Sequence, residues 1–236
     1  MQLFYTPELF SQDTSYQFDK EESKHIVKVL RKKEGDILYI TNGLGFLFTS
    51  KITTANERGC RVAILDVSET PKTDYHIHLA VAPTKMNDRY EWFLEKATEI
   101  GIHEITPIIC DHSERKIIKT ERFDKIIQSA MKQSHQFYLP KLNTATTYKD
   151  FVMAHENEAL YIAHCEEQNK TELHKVILPQ KRYTLLIGPE GDFSLAEIEL
   201  ALQKGYQPVA LGNTRLRTET AAVVACHTFV LKNNDR

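Results

Sequence analysis

The sequence contains no long apolar run and no secretory leader. Hydrophobic residues make up 42% of its 236 residues, yet no stretch approaches the roughly 20 apolar residues that a membrane-spanning helix needs. Residues 1–10 lack the basic segment followed by an apolar one that directs secretion. With 26% charged residues, the composition is that of a globular protein. We therefore expect a folded cytoplasmic chain without a membrane segment.

The sequence has few cysteines and no paired-cysteine motif. They lie far apart, at Cys60, Cys110, Cys165 and Cys226. The absence of CxxC spacing argues against both a disulfide framework and a zinc site. His76 and His78 have strand spacing on one face, but no third ligand lies nearby in the sequence. We expect the cysteines to be small buried apolar side chains, and we expect no bound metal.

An excess of basic residues is also missing, because 30 Lys and Arg face 32 Asp and Glu. A nucleic-acid-binding chain usually carries a basic footprint, so the net charge of −2 counts against that class. Net charge can nevertheless hide a local patch. Within residues 24–33, no acid interrupts five cations: Lys24, Lys28, Arg31, Lys32 and Lys33. This cluster is either a solvated helix face or a site for phosphates.

Residues 1–70 read as a small β-domain. Three short segments rich in β-branched and aromatic residues are bounded by turn residues, and residues 42–45 have the composition of a hairpin turn. One helix should precede these strands, with Ser23 as its cap. The pattern predicts a small β-barrel with one packed helix, followed by a linker at residues 69–72.

Residues 74–236 change to alternating strands and helices. Buried strands are predicted at 76–83, 105–110, 159–165, 183–188 and 208–212. Helical spacing connects several of them, and Gly101 is suited to end the first of these helices. Such alternation predicts an α/β domain with a parallel sheet covered on both faces.

Two nucleotide-binding motifs are absent, and a different turn is present. Residues 188–193 lack both the GxGxxG spacing and the Gly-Lys-Ser/Thr of a phosphate loop. They follow a buried strand and precede a helix with a Ser194–Glu197 capping box, and ligands bind at that end of parallel strands. The acids Glu190 and Asp192 disfavour phosphate and suit a cationic ligand such as S-adenosylmethionine. The alternative is a plain strand-to-helix turn.

A second strand-turn-helix unit follows at residues 208–220. Two successive units should bring their turns side by side at one sheet edge, with Arg215, Arg217 and Glu219 next to the first turn. A Thr or Glu at this position could simply cap the last helix. Two arginines exceed what a cap requires, and they suit a phosphate or a base edge.

With these two segments, the sequence resembles the bacterial 16S ribosomal RNA uridine-N3 methyltransferases, a branch of the SPOUT superfamily. The resemblance covers most of the chain. Further matching segments are 25–31, 35–36, 42–45, 85–89, 95–101, 113–115, 133–134 and Pro140. It implies an N-terminal PUA-like RNA-binding β-barrel, a C-terminal SPOUT domain with a trefoil knot, and a homodimer. It also implies methylation of N3 of a uridine in the ribosomal RNA of the small subunit, with S-adenosylmethionine as donor.

The candidate site residues fall into three groups. The candidate catalytic residues are Arg217, for the uracil oxygens or a phosphate, and Glu219, which either positions the base, takes its proton or holds Arg217. The expected donor-binding residues are His164, Ile187, Gly188, Pro189, Glu190, Gly191, Leu211, Gly212, Leu216 and Thr220. The expected RNA-binding residues are Lys24, Lys28, Arg31, Arg89, Arg115, Lys132 and Gln133.

The chain departs from the family pattern at four positions. The family usually has Gly where Asp192 stands, Arg at the positions of Gln136 and Tyr138, and an aliphatic residue in place of Arg215. The missing arginines concern RNA contacts more than donor binding. Two other functions therefore stay open: a different SPOUT RNA methyltransferase activity, and a non-catalytic RNA-binding protein of ribosome assembly.

Overall fold

The described residues form two β-sheets, one of five strands and one of eight. The computed structural model describes residues 1–118, 120–154, 159–166, 170–179 and 181–234. Residues divide into two compact units, Met1–Lys72 with Met131–Leu139, and Thr73–Ala130 with Pro140–Arg236. The segment Met131–Leu139 thus belongs with the N-terminal strands, although the chain reaches it only after a long excursion through the second unit.

The N-terminal unit is built on the five-stranded sheet, in the order β1-β3-β4-β5-β2. Its elements are β1 (Leu3–Tyr5), β2 (Ser15–Gln17), α1 (Lys20–Lys24), a π-helical turn (His25–Val29), β3 (Ile37–Thr41), β4 (Phe46–Thr54) and β5 (Arg61–Glu69). Register shifts along β4 mark β-bulges, which bend the strand and curl the sheet. Ile26 packs from the helical segment into the core around Phe48 and Val62.

The predicted cap of the first helix is wrong. Asp19 is the N-cap, and its carboxylate accepts the Glu22 N–H at 2.8 Å. Ser23 lies inside the helix and is buried, where its hydroxyl donates to the Phe18 carbonyl and accepts the Cys60 N–H at 2.8 Å. Ser23 therefore fastens the helix to the sheet, a long-range role that its local sequence does not reveal.

The predicted hairpin at residues 42–45 is confirmed, and it is tied to the distant segment. The Gly45 N–H donates to the Phe137 carbonyl at 2.8 Å, and the Leu139 N–H donates to the Gly43 carbonyl at 2.9 Å. Gly45 has a φ of +99°, and a Cβ there would meet the Tyr138 ring at 2.3 Å. Glycine is therefore required at this turn for both its backbone conformation and its contact.

The second unit contains the eight-stranded sheet, in the order β11-β13-β10-β12-β6-β7-β8, with β9 beside β7. Its strands are β6 (His76–Val81), β7 (Glu104–Ile109), β8 (Lys141–Leu142), β9 (Thr146–Thr147), β10 (Ala159–Ala163), β11 (Thr171–Glu172), β12 (Arg182–Ile187) and β13 (Gln207–Ala210). All of these pairings are parallel, as predicted for the C-terminal part.

The helices connect the strands and bury the sheet. They are α2 (Asn87–Ile100), α3 (Thr120–Gln133), α4 (Tyr148–Ala154), α5 (Leu173–Val176), α6 (Leu195–Gln203) and α7 (Thr218–Asn234). Gly101 ends α2 in the left-handed conformation, with a φ of +109°, and the Ser194–Glu197 capping box is present. Both predictions are confirmed.

The strand order corrects one geometric expectation. The turns that follow β12 and β13 do not adjoin directly, because β10 lies between these strands and pairs with both. The segment that follows β10, beginning at His164, therefore separates the two turns. Three loops, rather than two, meet at the carboxyl ends of these strands, which is the edge where ligands bind in parallel sheets.

Candidate active site

A cavity of about 680 Å³ opens at the carboxyl ends of β10, β12 and β13. Its volume is in the range of small-molecule sites. Its lining includes eight of the ten expected donor-binding residues: His164, Ile187, Gly188, Pro189, Glu190, Leu211, Gly212 and Leu216. Gly191 and Thr220 lie outside that lining. The two predicted turns, the first at 188–193 and the second at 211–217, form much of the wall.

The first turn is packed closely at Gly188. A Cβ on Gly188 would lie 3.2 Å from the Phe193 ring, which is itself buried. The Thr218 hydroxyl donates to the Gly188 carbonyl at 3.0 Å, linking the first turn to the start of α7. The sequence suggested that this glycine lets a ligand approach the backbone. In the structure, the neighbour that requires it is Phe193.

Gly191 likewise faces protein. A Cβ there would lie 3.1 Å from the His112 Cβ. His112 Nδ1 donates to the carbonyls of Gly191, at 3.0 Å, and Asp192, at 3.1 Å. Glu190 accepts the Lys85 N–H at 2.9 Å, so that carboxylate holds a neighbouring loop.

Hydrogen bonds to the Glu197 side chain hold the end of the first turn in place. One carboxylate oxygen accepts the Ser194 N–H at 2.9 Å, and the other accepts the Asp111 N–H at 3.0 Å. The Ser194 hydroxyl donates to the Asp111 carboxylate at 2.6 Å, and the Tyr148 hydroxyl donates to the Glu197 carbonyl. Glu197 is buried, and hydrogen bonds to a charged group are the stronger kind. The first turn is therefore fixed before any ligand binds.

Asp192 occupies a backbone conformation that suits glycine. Its φ is +63°, in the left-handed region, which Asp and Asn tolerate better than most side chains. Its carboxylate accepts the Cys165 N–H at 2.7 Å. The departure from the family's glycine thus adds a hydrogen bond between the first turn and the loop after β10.

His164 contributes an unsatisfied polar group to the cavity wall. The residue is 7% exposed, and neither ring nitrogen has a hydrogen-bond partner among the residues that the structure describes. Burial, and then the nearby Lys170 charge, lower the pKa of the His164 imidazole below its ordinary value. Lys170 Nζ donates to the carbonyls of His164 and Glu166, at 2.7 and 2.8 Å. A neutral imidazole with unpaired nitrogens is able to donate to and accept from a polar ligand.

The second turn presents exposed residues. Gly212 has a φ of +131°, with open space where a Cβ would stand. Arg215 and Arg217 are exposed, and both line the cavity. Two guanidinium groups at the mouth of a small-molecule cavity are suited to bind phosphate or the oxygens of a base.

Glu219 does not share the cavity with Arg217. Its side chain is buried, and one carboxylate oxygen lies 3.9 Å from the Arg89 Nε on α2. The other oxygen has no hydrogen-bond partner in the described part of the chain. The sequence predicts that Glu219 lies beside the first turn, together with the two arginines. The helical rotation from Arg217 to Glu219 instead turns the carboxylate toward α2.

The RNA-binding candidates occupy both units. Lys24, Lys28 and Arg31 are exposed in the N-terminal unit. Lys132 and Gln133, half-buried and exposed respectively, end α3 in the same unit. In the second unit, Arg115 donates to the Lys85 carbonyl at 2.9 Å, while Arg89 lies beside Glu219.

Several cavity residues were missed by sequence reasoning. Cys165, Lys170, Thr218 and Ala221 also line the cavity. Thr218 lies within the recognised LRTETA segment, so its position offered a signal. Lys170 offered none, because it follows no motif and reaches the site only through the fold.

Among the described residues, no helix is both long enough and apolar enough to cross a membrane. No group of three or more His, Cys, Asp or Glu side chains in the described ranges could hold a metal ion. The four cysteines are free thiols, and Cys165 is the exposed one.

Comparison with known proteins places the chain in a family. Residues 71–230 match the model of the RNA methyltransferase domain, and residues 18–65 match that of the RNA methyltransferase PUA domain. The Rickettsia conorii protein named ribosomal RNA small subunit methyltransferase E is 30% identical over 94% of this chain and 91% of its own length.

Solved structures agree. A probable rRNA-methyltransferase from Porphyromonas gingivalis has 39% identity and a TM-score of 0.89, covering 96% of this chain and 95% of that one. The ribosomal RNA small subunit methyltransferase E from Neisseria gonorrhoeae, bound to S-adenosyl methionine, has 27% identity and a TM-score of 0.84, with the same two coverages of 96% and 95%. From the domain match and these relatives, the chain belongs to the RNA methyltransferase family.

Proposed function

We propose that this protein transfers the methyl group of S-adenosylmethionine to N3 of a uridine in the 16S ribosomal RNA of the small subunit. The observation that carries the proposal is a cavity whose lining includes both Arg217 and His164, an imidazole with no hydrogen-bond partner among the described residues. The relatives named ribosomal RNA small subunit methyltransferase E support the choice of RNA.

The residues of the cavity fit S-adenosylmethionine. A volume of about 680 Å³ is sufficient for a ligand of this size. His164 provides unpaired nitrogens, and the backbone around Gly212 is exposed on the second turn. When bound, S-adenosylmethionine supplies an electrophilic methyl group on a sulfonium. We propose that the ten donor-binding candidates of the sequence analysis form this site, with Gly191 and Thr220 acting from outside its lining.

The chain's own residues would then orient the base and stabilise its charge. Transfer in line with the breaking C–S bond depends mainly on orientation. Uridine N3 becomes nucleophilic when it loses its proton, which leaves negative charge on the uracil oxygens. Arg217 is placed to bind these oxygens. Because Glu219 is buried beside Arg89, we propose that it positions Arg89 rather than accepting the N3 proton.

We assign RNA binding to both units. Residues 1–70 are proposed to form a PUA-like β-barrel domain whose exposed Lys24, Lys28 and Arg31 bind phosphates, and residues 74–236 a SPOUT methyltransferase domain. Arg89, Arg115, Lys132 and Gln133 are proposed to contact RNA as well.

We further propose a trefoil knot at the C-terminal end, a homodimer and a cytoplasmic location. The resemblance to the SPOUT enzymes supports the knot. Trp92 on α2 and Leu231 on α7 are large apolar side chains that are 43% and 50% exposed, which supports a covering subunit. Light scattering of the purified chain at several concentrations tests the dimer.

The test of the proposed reaction is transfer of labelled methyl to small ribosomal subunits that lack their native modification, followed by nucleoside analysis. Labelled 3-methyluridine is the expected product. Another labelled nucleoside would assign a different SPOUT activity. Donor binding without labelled product, on subunits and on naked RNA alike, would favour the non-catalytic assembly protein.

A further inference from the structure

Asp192 is held in place at a position where the backbone disfavours a side chain. Its φ of +63° belongs to the left-handed region, which costs a non-glycine residue stability. The Cys165 N–H donates to its carboxylate at 2.7 Å. The orientation of this carboxylate is therefore fixed by the protein.

That carboxylate belongs to the cavity wall. Asp192 and Cys165 both line the cavity, on loops that follow the adjacent parallel strands β12 and β10. In the register of these strands, Ala163 stands opposite Ile187, so the two loops leave the sheet side by side. The Asp192 side chain spans the gap between them.

The other charged groups along the cavity differ from Asp192 either in the sign of their charge or in their hydrogen-bond partner. Lys170, Arg215 and Arg217 are cationic. Glu190 is also acidic, but its carboxylate accepts the N–H of Lys85, at 2.9 Å, and Lys85 lies outside the cavity lining. The partner of Asp192, Cys165, is itself part of the lining. The charges of Asp192 and Glu166 both act to raise the pKa of the His164 imidazole, so Asp192 lies near that ring on the cavity wall.

We propose that Asp192 is a specificity residue that favours the methyl donor over the demethylated product. The inference rests on the proposed function. When the methyl group leaves, the electron pair of the C–S bond returns to sulfur, and the sulfonium becomes a neutral thioether. A carboxylate in the wall attracts the cationic sulfonium and has no comparable attraction for S-adenosylhomocysteine. Asp192 thus strengthens donor binding and eases product release.

The substitution Asp192→Asn removes the negative charge and keeps the shape of the side chain. Asn tolerates the left-handed conformation and retains an oxygen for the Cys165 N–H, so only the charge is removed. Equilibrium dissociation constants for S-adenosylmethionine and S-adenosylhomocysteine are measured by calorimetry on the full chain, without RNA. We expect D192N to weaken S-adenosylmethionine about two- to fivefold, as for a partly exposed ion pair, and to leave S-adenosylhomocysteine unchanged. Thermal unfolding of the ligand-free variant checks its fold.

Two further variants serve as references. Glu199→Gln removes an acid at an exposed position of α6 and should alter neither constant. Asp192→Gly removes both the charge and the hydrogen bond to Cys165, while relieving the backbone, and should shift the ratio of the two constants as D192N does. The effect of D192N should also shrink in high salt, because screening weakens exposed charge pairs.

Equal weakening of both ligands by D192N, or no weakening of either, would overturn the proposal. If D192G weakened both ligands equally while D192N had no effect, Asp192 would act only as a tether, and the proposal would again fail. If the wild-type chain bound neither ligand, the proposed function itself would be overturned together with this inference.

Discussion

The two turns that wall the cavity are built in opposite ways. The first turn, at 188–193, is fastened to neighbouring loops through Lys85, His112 and Thr218 and is anchored by the buried Glu197. The second turn, at 211–217, presents Arg215 and Arg217 to solvent. A fixed wall is suited to orient a small cofactor, and an exposed basic wall is suited to receive a large charged substrate. We therefore expect the first turn to orient the cofactor and the second turn to receive the substrate.

The largest effect should come from loosening the fixed wall. In Glu197→Gln, the amide nitrogen cannot accept a backbone N–H, so one of two charge-assisted bonds is lost and the other is weakened. We expect the free energy of unfolding to fall by about 3 kcal/mol, measured by urea denaturation. Glu199→Gln on the exposed face of the same helix should change it by less than about 0.5 kcal/mol. Equal stability of the two variants would show that the first turn is not held by Glu197.

Arg217→Gln, in the exposed second turn, should lower turnover and leave the free energy of unfolding nearly unchanged. Removing a charge that stabilises the reacting base should lower turnover about 100-fold, while unfolding stays within about 0.5 kcal/mol of the wild type. Single-turnover methyl transfer at saturating RNA measures the first quantity. Arg215→Gln, on the same turn, should cause the smaller loss. A larger loss for R215Q would exchange the roles assigned to the two arginines.

A half-buried histidine, His103, lies at the edge of the sheet opposite the cavity, at the amino ends of β6 and β7. There His103 Nδ1 accepts the Ile77 N–H at 3.2 Å, and its Nε2 donates to the Thr73 hydroxyl. Burial, then the neighbouring His76 and Arg182, lower the pKa of His103 to about 4, from an ordinary value of 6.5. As pH falls, the imidazole is protonated in the unfolded chain at a higher pH than in the folded protein. The free energy of unfolding therefore decreases.

We expect this loss to be about 2 kcal/mol between pH 7 and pH 5. His103→Asn should make that part of the pH profile shallower by this amount, because the Asn oxygen can still accept the Ile77 N–H without titrating. His227→Asn, at an exposed position on α7, should retain the wild-type slope. Denaturation across this pH range measures all three proteins. A slope in H103N as steep as that of the wild type would assign the pH dependence elsewhere in the molecule.

The smallest effects should distinguish the glycines of the two turns. Gly188→Ala brings a methyl group to 3.2 Å from the Phe193 ring, which should cost about 1–2 kcal/mol through overpacking. Gly212→Ala meets open space but has a φ of +131°, which should cost about 1 kcal/mol through strain alone. Adding Phe193→Leu should partly rescue G188A and should not rescue G212A. Rescue of both, or of neither, would contradict the packing argument.

Local signals predicted much of this fold, and long-range contacts explain what they missed. Gly101, the Ser194–Glu197 capping box and the hairpin at residues 42–45 act through neighbours in sequence, so their patterns were sufficient. Ser23 was misassigned because its partners, Phe18 and Cys60, are brought to it by the sheet. The two- and three-residue strands are too short to show a period.

The site was predictable to a similar extent. Strand-turn-helix patterns located both turns, and eight of ten donor candidates line the cavity. The insertion of β10 between β12 and β13 could not be read from chain order, because a parallel sheet need not follow it. The orientation of Glu219 toward Arg89 depended on how α7 packs on α2. The reason for Gly188 lay in the buried Phe193 ring.

The assignment of Met131–Leu139 to the N-terminal unit has a consequence for how the protein is made. The carbonyl of Gly43 and the N–H of Gly45 find their partners in residues that are synthesised much later. At a synthesis rate of roughly 5–20 residues per second, the hairpin waits several seconds for this segment to emerge. The first unit therefore cannot complete its folding on the ribosome until more than half of the chain has been made. In a fragment that ends at Lys72, the hairpin would lack these partners, and the first unit could not complete its folding.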